Sequence, residues 1–403
     1  MRSRYLFPVL CALAAALPSQ TIWNVTSGTD LNTVFAGAAP GDIVLLGPGT
    51  YSPFQLTKGL TVIGPATILG PASPQLPSYD TSVTVPAGQQ ARLVGLEFRP
   101  TAPPIPLVLW GQMVTVDGDA SFEQCRFGPG APHCLEIHGG NVVLRDCIVV
   151  GTGIFGGLLQ TGGSSWVVGC SLFGVNAGDL SFGLPIASTP AATVLGGRMM
   201  VASSTLLGGA AALEIANLAF LPPAPALTVS SPGLVTLADS VVRGGAGMTF
   251  GPGAIGIVSN TNAVVRFARS TVASGVGTVA IAPYVGNVAN DDDLVGLSMN
   301  HGLMLGQTTT ATATAGASGL LLAVLATFDN SVATSPLAAE PIFGLLNGAI
   351  TLALAAPAPG ATVAASVVVP PVPMLVGAPL WLQAAQWNGV QFRLSPVVGG
   401  VVH

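Results

Sequence analysis

The residues best suited to chemistry lie in the segment 133–138, which reads His-Cys-Leu-Glu-Ile-His. If this segment is a strand, Cys134, Glu136 and His138 point to one face and the two apolar residues between them point to the other. A carboxylate beside an imidazole could transfer protons or hold a cation. The alternative is the polar outer face of a strand whose inner face is core, and we favour this alternative.

Two further carboxylates, Asp117 and Asp119, precede this segment at a predicted turn. We expect that turn to lie one repeat away in space, next to the turn that follows His138. The sequence gives no geometry that would assign a catalytic role. The candidate ligand-binding residues are therefore Asp117, Asp119, Glu136 and His138.

Two other motifs are weaker. Gly151-Thr152-Gly153-Ile154-Phe155-Gly156 has the spelling of a dinucleotide-binding loop, but the Gly-rich text after it will not form the helix that such a site requires, so we predict a loop. Asp291-Asp292-Asp293 could attract calcium but lacks the spaced ligands of a calcium loop, and a solvated linker is the favoured interpretation. No cofactor is expected.

Four cysteines follow residue 20. Cys125 and Cys147 are expected in equivalent positions of adjacent repeats, where they could form a disulfide or a ladder of reduced thiols. We favour the ladder, because the spacing between strands is slightly wide for a disulfide. Cys134 and Cys170 lack the CxxC spacing of a zinc site, so no metal centre is expected.

A repeated unit must position these residues. The pattern is apolar, any residue, apolar, two more residues, a small residue, any residue, apolar, and it occurs at 142–151, 234–244 and 264–272. A fixed pattern that returns every few tens of residues indicates stacked units. The predicted small-residue column comprises Leu96, Cys125, Cys147, Ser171, Ser204, Ser240 and Ser270.

The stacking predicts two ion pairs between neighbouring units. Glu97 should lie over Arg126, and Glu123 should lie beside Arg145. Exposed pairs of this kind contribute ~0–1 kcal/mol, so they would adjust the register of the repeats without holding the fold together.

The opening text, GDIVLLGPGTY at 41–51 followed by LTVIGP at 60–65, resembles the first coil of secreted right-handed parallel β-helix proteins of the pectate-lyase-like superfamily. The resemblance implies a capping helix, which we place at Asp30–Ala39. The resemblance also raises the question of whether the catalytic motifs of this superfamily occur here. The paired aspartates with Gly-His-Gly and Arg-x-Lys of polygalacturonase-like members, and the Asp-Pro-His of epimerase-like members, do not occur here. No catalytic residue can be carried over.

The composition limits the classes of molecule that the chain is expected to bind. Only 7% of residues are charged, net charge is −5 and Lys58 is the one lysine, so nucleic acid is a poor candidate partner, and polyanionic sugars are disfavoured less strongly. Residues 1–20 read as a secretory signal peptide, with Arg2 and Arg4 before a short apolar stretch. The mature chain is expected to be secreted or attached to the cell surface, without a membrane span, and monomeric.

The sequence therefore predicts an all-β protein. After the signal peptide (1–20), residues 21–290 form a right-handed single-stranded parallel β-helix of about eight or nine coils, and residues 291–403 form a small antiparallel β-sandwich. Two functions fit. The favoured one is a non-catalytic exported scaffold, or a protein that binds a polysaccharide or cell-surface glycan. The other is a divergent polysaccharide lyase or glycoside hydrolase with Asp117, Asp119, Glu136 and His138 as its site.

Overall fold

A computed structural model gives the fold. It describes residues 20–69, 81–99, 114–128, 134–151, 156–179, 185–214, 219–248, 251–300, 302–327, 332–333, 342–343, 350–371, 375, 378–395 and 397–402. The predicted signal peptide lies outside these residues except for Gln20, as do His133 and residues 152–155 of the Gly-rich loop.

The first three quarters of the described chain consist of short strands and one helix. Their bounds are β1 Ile22–Val25, α1 Leu31–Gly37, β2 Ile43–Leu46, β3 Gly49–Tyr51, β4 Gln55–Leu56, β5 Thr61–Leu69, β6 Thr81–Thr84, β7 Ala91–Arg99, β8 Val114–Asp117, β9 Ala120–Glu123, β10 Arg126–Phe127, β11 Leu135–Gly139, β12 Asn141–Arg145, β13 Ile148–Val150, β14 Leu158–Gln160, β15 Ser164–Val168, β16 Ser171–Phe173, β17 Gly178–Asp179, β18 Pro185–Ile186, β19 Ala192–Val194, β20 Arg198–Ala202, β21 Thr205–Leu207, β22 Ala212–Glu214, β23 Ala219–Leu221, β24 Leu227–Val229, β25 Leu234–Ala238, β26 Val241–Arg243, β27 Ile257–Ser259, β28 Val264–Ala268, β29 Thr271–Ala273, β30 Tyr284–Val285 and β31 Val288–Asn290.

These strands form two long parallel sheets. The described strands β4, β6, β8, β11, β14, β19, β24, β27 and β30 make a nine-stranded sheet, and most of the others make an eighteen-stranded sheet. Each strand pairs with its counterpart one repeat away, as β12 does with β9 and β15. We call one repeat a rung. The arrangement is consistent with a parallel β-helix, and the hairpins β17–β18 and β22–β23 are antiparallel.

Alternate side chains fill the space between the sheets. On β12, Val142 and Leu144 belong to the main apolar cluster, whereas Val143 and Arg145 point away from it. Like residues lie over like residues from rung to rung, and the rings of Phe98 and Phe127 stack with centroids 5.1 Å apart. Since one rung buries only a few side chains, the core becomes stable through stacking.

A sharp corner separates the two strands of each rung in the eighteen-stranded sheet. The corner residues Gln124, Asp146, Ser203, Asp239 and Arg269 have φ between 48° and 53°, in the left-handed region that side chains rarely adopt. The next residue in each rung is a small Cys or Ser. Its backbone N–H donates to the side chain of the equivalent residue one rung later, at 3.0 Å from Cys170 to Ser204, 3.2 Å from Ser204 to Ser240 and 3.1 Å from Ser240 to Ser270.

Each of these side chains also donates to a carbonyl in its own rung. The hydroxyls of Ser204 and Ser240 each donate to the carbonyl two residues earlier, at 2.7 Å. A hydroxyl or thiol thus satisfies two backbone groups at a bend in the strand, and this explains why the position takes a small polar residue. We call the set the corner column: Cys125, Cys147, Cys170, Ser204, Ser240 and Ser270.

One member of the predicted column is wrong. The prediction placed Ser171 in it, but Cys170 occupies the corner, because Ile148 pairs with Ser171 and the N–H of Cys147 donates to the thiol of Cys170. Cys170 is buried, and Ser171 is the first residue of β16, partly exposed on the outer face. Both residues fit the sequence pattern, so the pattern alone could not choose between them.

The cysteine ladder agrees with the favoured prediction. Cys125, Cys147 and Cys170 are free thiols stacked in the corner column. Burial raises the pKa of Cys147 and of Cys170 well above the ordinary value. These thiols therefore stay protonated and act as small hydrogen-bonding groups.

The predicted capping helix is confirmed as α1. The carboxylate of Asp30 accepts from the N–H of Asn32 and caps its first turn, while Leu31 and Phe35 are buried against the first rungs. Lys58 closes the other end, where its Nζ donates to the carbonyls of residues 35, 36 and 38 at 3.1, 2.8 and 2.8 Å. The helix covers the apolar interior at this end of the stack.

Asp42 ties the chain before β1 to the loop that follows α1. It accepts from Trp23 Nε1 and from the N–H groups of Thr21 and Ala39, at 2.9–3.0 Å. Burial alone would raise the pKa of Asp42, but these three donors outweigh it and hold the pKa below its ordinary value.

The last part of the chain, which we call the C-terminal region, is antiparallel. Its strands are β32 Gly296–Met299, β33 Thr308–Thr314, β34 Leu321–Thr327, β35 Val332–Ala333, β36 Ile342–Phe343, β37 Ile350–Ala355, β38 Thr362–Val368, β39 Pro379–Trp387, β40 Phe392–Leu394 and β41 Val398–Val401. One sheet contains β32, β33 and β38, and another contains β37, β34, β39, β40 and β41. Side chains of both sheets share one apolar cluster. Within the residues described, no helix has the length and apolar character needed to cross a bilayer.

The C-terminal region packs on the outer face of the eighteen-stranded sheet. Trp166, at an outward position of β15, is fully buried in a cluster with Trp381 and Val397 of the C-terminal region. Val168 and Ala202, also outward, join the apolar cluster of the C-terminal sheets. The two parts therefore share buried surface, which the sequence analysis did not predict.

This packing buries one of the two predicted ion pairs. Both pairs form: Arg126 lies over Glu97 at 3.7 Å, and Arg145 lies beside Glu123 at 2.9 Å. The first is exposed as expected. The expectation of exposure is wrong for the second, whose side chains are 8% and 5% exposed, because Gly302 of the C-terminal region lies over it.

Removing a corner hydroxyl should cost stability. Ser240→Ala takes away the acceptor of the Ser204 N–H and is expected to lower the free energy of unfolding by about 1–3 kcal/mol, measured by urea denaturation. Ser240→Cys, which keeps a donor and an acceptor, should lose less. Ser171→Ala, beside the column on the outer face, is the matched control and should change little. An equal loss of stability in Ser240→Ala and Ser171→Ala would contradict the stabilising role of the corner-column hydrogen bonds.

The two ion pairs provide a second test. Arg145→Met leaves the buried Glu123 carboxylate without its guanidinium and should lower the free energy of unfolding by about 3–5 kcal/mol. Arg126→Met, in the exposed pair, should cost about 0–1 kcal/mol by the same denaturation measurement. Adding Glu123→Leu to Arg145→Met should recover much of the loss. Equal effects of the two single variants would show that the C-terminal region does not cover Arg145.

Candidate functional site

The predicted site residues lie on two neighbouring rungs, where the nine-stranded sheet turns toward the next strand. Asp117 is the last residue of β8, Asp119 follows in the turn, and Glu136 and His138 lie on β11. Strands β8 and β11 pair in parallel, with a register shift that sets Gly139 opposite Asp117. The structure thus brings the four residues to one edge of the stack.

Glu136 and His138 are in direct contact. Both point outward from β11, and His138 Nε2 lies 3.1 Å from Glu136 Oε2. The carboxylate side chain is 4% exposed and the imidazole is 43% exposed. A buried carboxylate thus lies against an imidazole that faces solvent.

Thr161 completes this arrangement, and the sequence analysis missed it. Its Oγ1 lies 3.1 Å from His138 Nδ1, and its hydroxyl donates to the carbonyl of Ile137 at 3.3 Å. Ile137 pairs with Gln160, the last residue of β14. The next residue in each chain segment, His138 and Thr161, therefore lies at the same edge on adjacent rungs. An alignment of turns, in addition to strands, would have predicted this neighbour.

Asp119 has a structural role. Its Oδ1 accepts from the backbone N–H of Asn141 at 2.8 Å and from the side-chain amide of Asn141 at 3.0 Å. The carboxylate thereby joins the turns of two adjacent rungs. This engagement makes Asp119 the weakest of the four predicted ligand-binding residues.

Asp117 is exposed at the same edge. A Cβ added at Gly139 would lie 2.7 Å from Asp117 Oδ1. Residue 139 is a glycine, and the space next to it is therefore open to this carboxylate. Leu195, which is 44% exposed, occupies this position on the rung after Thr161 and interrupts the row of polar side chains. The row resumes with Ser230 and Asn260 on the next two rungs, whose side chains are 3.1 Å apart. We call the set the polar column: Asp117, His138, Thr161, Ser230 and Asn260.

The prediction for Cys134 is wrong. It was expected to share the outer face with Glu136 and His138. It precedes β11 and is fully buried in the main apolar cluster, with its thiol donating to the carbonyl of Val150 at 2.9 Å. Strand alternation does not extend to a residue outside the strand.

The acidic run at 291–293 is not a free, solvated linker, because Asp291 and Asp293 bind other groups of the folded chain. Asp291 contacts Arg393 at 2.8 Å and Arg266 at 3.8 Å, joining the C-terminal region to the outer face of β28. Asp293 accepts from the N–H of Ser318 at 2.9 Å. Within the part of the chain that the structure describes, no group of three or more His, Cys, Asp or Glu residues has the geometry to hold a metal ion.

Comparison with known proteins gives no family. A scan against protein-family models finds no match, and a search of curated proteins finds none either.

The roles of the two aspartates can be separated by stability. Asp119→Ala removes the acceptor of both Asn141 groups and should lower the free energy of unfolding by about 1–3 kcal/mol in a urea titration. Asp117→Ala, two residues away and exposed, should stay within about 0.5 kcal/mol of the wild type. The reverse order of losses would contradict the structural role of Asp119.

Proposed function

We propose that this chain is an exported, non-catalytic protein that binds a neutral glycan along the polar column. The observation that carries the proposal is a row of fixed, exposed polar groups on a rigid parallel sheet, with Asp117, His138 and Thr161 on successive rungs. A long saccharide presents hydroxyl groups at intervals along its length, and such a row can hydrogen-bond several of them at once. The rigidity of the stack lowers the entropy cost of binding.

We also propose a detailed fold for the chain and its export from the cell. The chain is a right-handed parallel β-helix of about eight or nine coils, of the pectate-lyase-like type, followed by a β-sandwich. The nine paired strands β4 to β30 and the apolar cluster shared by the two C-terminal sheets support this description. Residues 1–20 act as the export signal.

Charge favours a neutral ligand. Asp117, Asp119 and Glu136 are carboxylates, and the polar column contains no lysine or arginine. A polyuronate would meet repulsion from these groups, with His138 as the one cationic candidate among them. A neutral glycan would meet hydrogen-bond donors and acceptors only.

Three basic residues, Lys58, Arg145 and Arg393, are already engaged, which argues against their use in lyase chemistry. Removing a proton next to a uronate carboxylate needs a cation and a base. Lys58, the single lysine, already donates to three carbonyls at the end of α1. Arg145 and Arg393 are bound to Glu123 and Asp291.

A hydrolase remains the second candidate because of one geometric feature. Glu136, His138 and Thr161 form a carboxylate–imidazole–hydroxyl line with contacts of 3.1 Å on both sides of the ring. For the imidazole to take the hydroxyl proton, the Thr161 hydroxyl has to turn away from the carbonyl of Ile137, to which it donates at 3.3 Å. Cleavage of a glycan would have to depend on Glu136 and Thr161.

Binding to a panel of neutral and acidic glycans tests the proposal. We expect a neutral glycan to bind, and we expect His138→Ala and Asp117→Ala each to weaken binding about tenfold, equivalent to ~1.4 kcal/mol. Thr271→Ala, on the exposed face of β29, is the matched control and should bind as the wild type does. Isothermal titration calorimetry measures the dissociation constants.

The same panel, assayed for reducing ends and for unsaturated products, tests the alternative. Product that disappears in Glu136→Gln and Thr161→Ala would replace the binding proposal with an enzyme. Binding that survives both column variants unchanged would remove the polar column from the proposal.

A further inference from the structure

The row that contains the polar column advances evenly, because backbone hydrogen bonds join its members to the preceding rung. On four successive rungs the N–H of the residue in the row donates to a carbonyl one rung back, at 2.7–3.0 Å, and these residues are Thr161, Leu195, Ser230 and Asn260. The strands before them pair in register, so each rung adds ~4.8 Å. From Asp117 to Asn260 the row covers six rungs and about 24 Å.

Leu195 places an apolar contact between polar ones. Its side chain is 44% exposed, on the rung between those of Thr161 and Ser230. The hydroxyls of Thr161 and Ser230 are therefore two rungs apart. A pyranose ring carries hydroxyl groups at its edge and C–H groups on its faces. One sugar can thus cover Leu195 with an apolar face while the sugars on either side reach the two hydroxyls.

An even row of contacts selects among neutral glycans by their shape. Sugars joined 1,4 through equatorial bonds form an extended ribbon that advances by close to one rung per sugar. Alternate rings of the ribbon are turned over, so its repeat is close to two rungs, the separation of Thr161 and Ser230. Chains of α-1,4-linked or β-1,3-linked glucose coil and leave such a row after a few sugars. A stiff ribbon also loses less conformational entropy on binding than a flexible chain does.

We infer that the ligand is a neutral β-1,4-linked ribbon, which lies along the polar column with one sugar on each rung and a pyranose face on Leu195. This inference rests on the glycan-binding function proposed above. It adds the linkage of the ligand and a residue, Leu195, that recognises the ring.

Binding of four neutral hexasaccharides to the purified full chain tests the linkage. Cellohexaose and mannohexaose are β-1,4-linked, maltohexaose is α-1,4-linked and laminarihexaose is β-1,3-linked. Isothermal titration calorimetry should give dissociation constants about tenfold lower for the first two. Affinity for the β-1,4 series should rise with chain length up to about six sugars, because the row covers six rungs.

Substitution of Leu195 tests the apolar contact. Leu195→Ser should weaken the binding of cellohexaose about tenfold, and Leu195→Met, which keeps an apolar side chain, should retain it. Leu213→Ser is the matched control, because Leu213 is 43% exposed on the hairpin β22–β23, and it should bind as the wild type does. Circular dichroism shows whether each variant keeps its β-sheet.

The outcomes separate this inference from the function on which it rests. Hexasaccharides that bind equally whatever their linkage, and that lose affinity in His138→Ala, overturn the ribbon and leave the glycan-binding proposal in place. A Leu195→Ser protein that binds cellohexaose as the wild type does also overturns the inference alone. If none of the hexasaccharides and none of the glycans in the earlier panel binds, both the function and the inference are wrong.

Discussion

The structure depends on one hydrogen bond that is repeated from rung to rung. At each corner the chain enters the left-handed region for one residue, and the following N–H leaves the regular ladder of the sheet. The hydroxyl or thiol of the next rung accepts that N–H and donates to a carbonyl of its own rung, as Ser240 does for Ser204 and Ala238. A buried N–H without an acceptor would cost about 1–3 kcal/mol at each of the four steps from Cys147 to Ser270, so the corner column fixes the register of these rungs.

The C-terminal region imposes the second constraint. It lies on the outer face of the eighteen-stranded sheet and buries side chains that would otherwise face solvent, including Trp166, Met200 and the Glu123–Arg145 pair. The polar column lies at an edge of the other sheet, on rungs whose strands β8, β11 and β14 belong to the nine-stranded sheet. Any ligand of this protein therefore meets a stack with one broad face already covered.

Much of the fold could be predicted because stacking repeats each residue type at a fixed place. The reduced thiols of Cys125 and Cys147 and the pairing of Glu97 with Arg126 follow from the repeat, and the capping helix followed from the resemblance of residues 41–65 to the first coil of β-helix proteins. The choice between Cys170 and Ser171 did not, since either residue fits the pattern and only burial distinguishes them. The same holds for Cys134, which lies just outside its strand.

The covered outer face was missed although the sequence contains a sign of it. Strands buried on both sides read as continuous apolar runs, and Trp-Val-Val at 166–168 and Met-Met-Val-Ala at 199–202 are such runs. At the candidate site, the sequence brought Glu136 and His138 to one face. It could not predict the contact with Thr161 or the engagement of Asp119 with Asn141, because both depend on how turns of different lengths align.

Distances between spin labels along one outer row of the stack test the central claim most directly. Thr271, Val241, Thr205, Ser171, Ile148 and Arg126 occupy equivalent positions on successive rungs. With one label at Thr271, electron–electron double resonance should give backbone separations of about 14, 19 and 24 Å for partners at Ser171, Ile148 and Arg126, since each rung adds ~4.8 Å. A linear increase supports the stacked register, and distances that do not grow with rung number would contradict it.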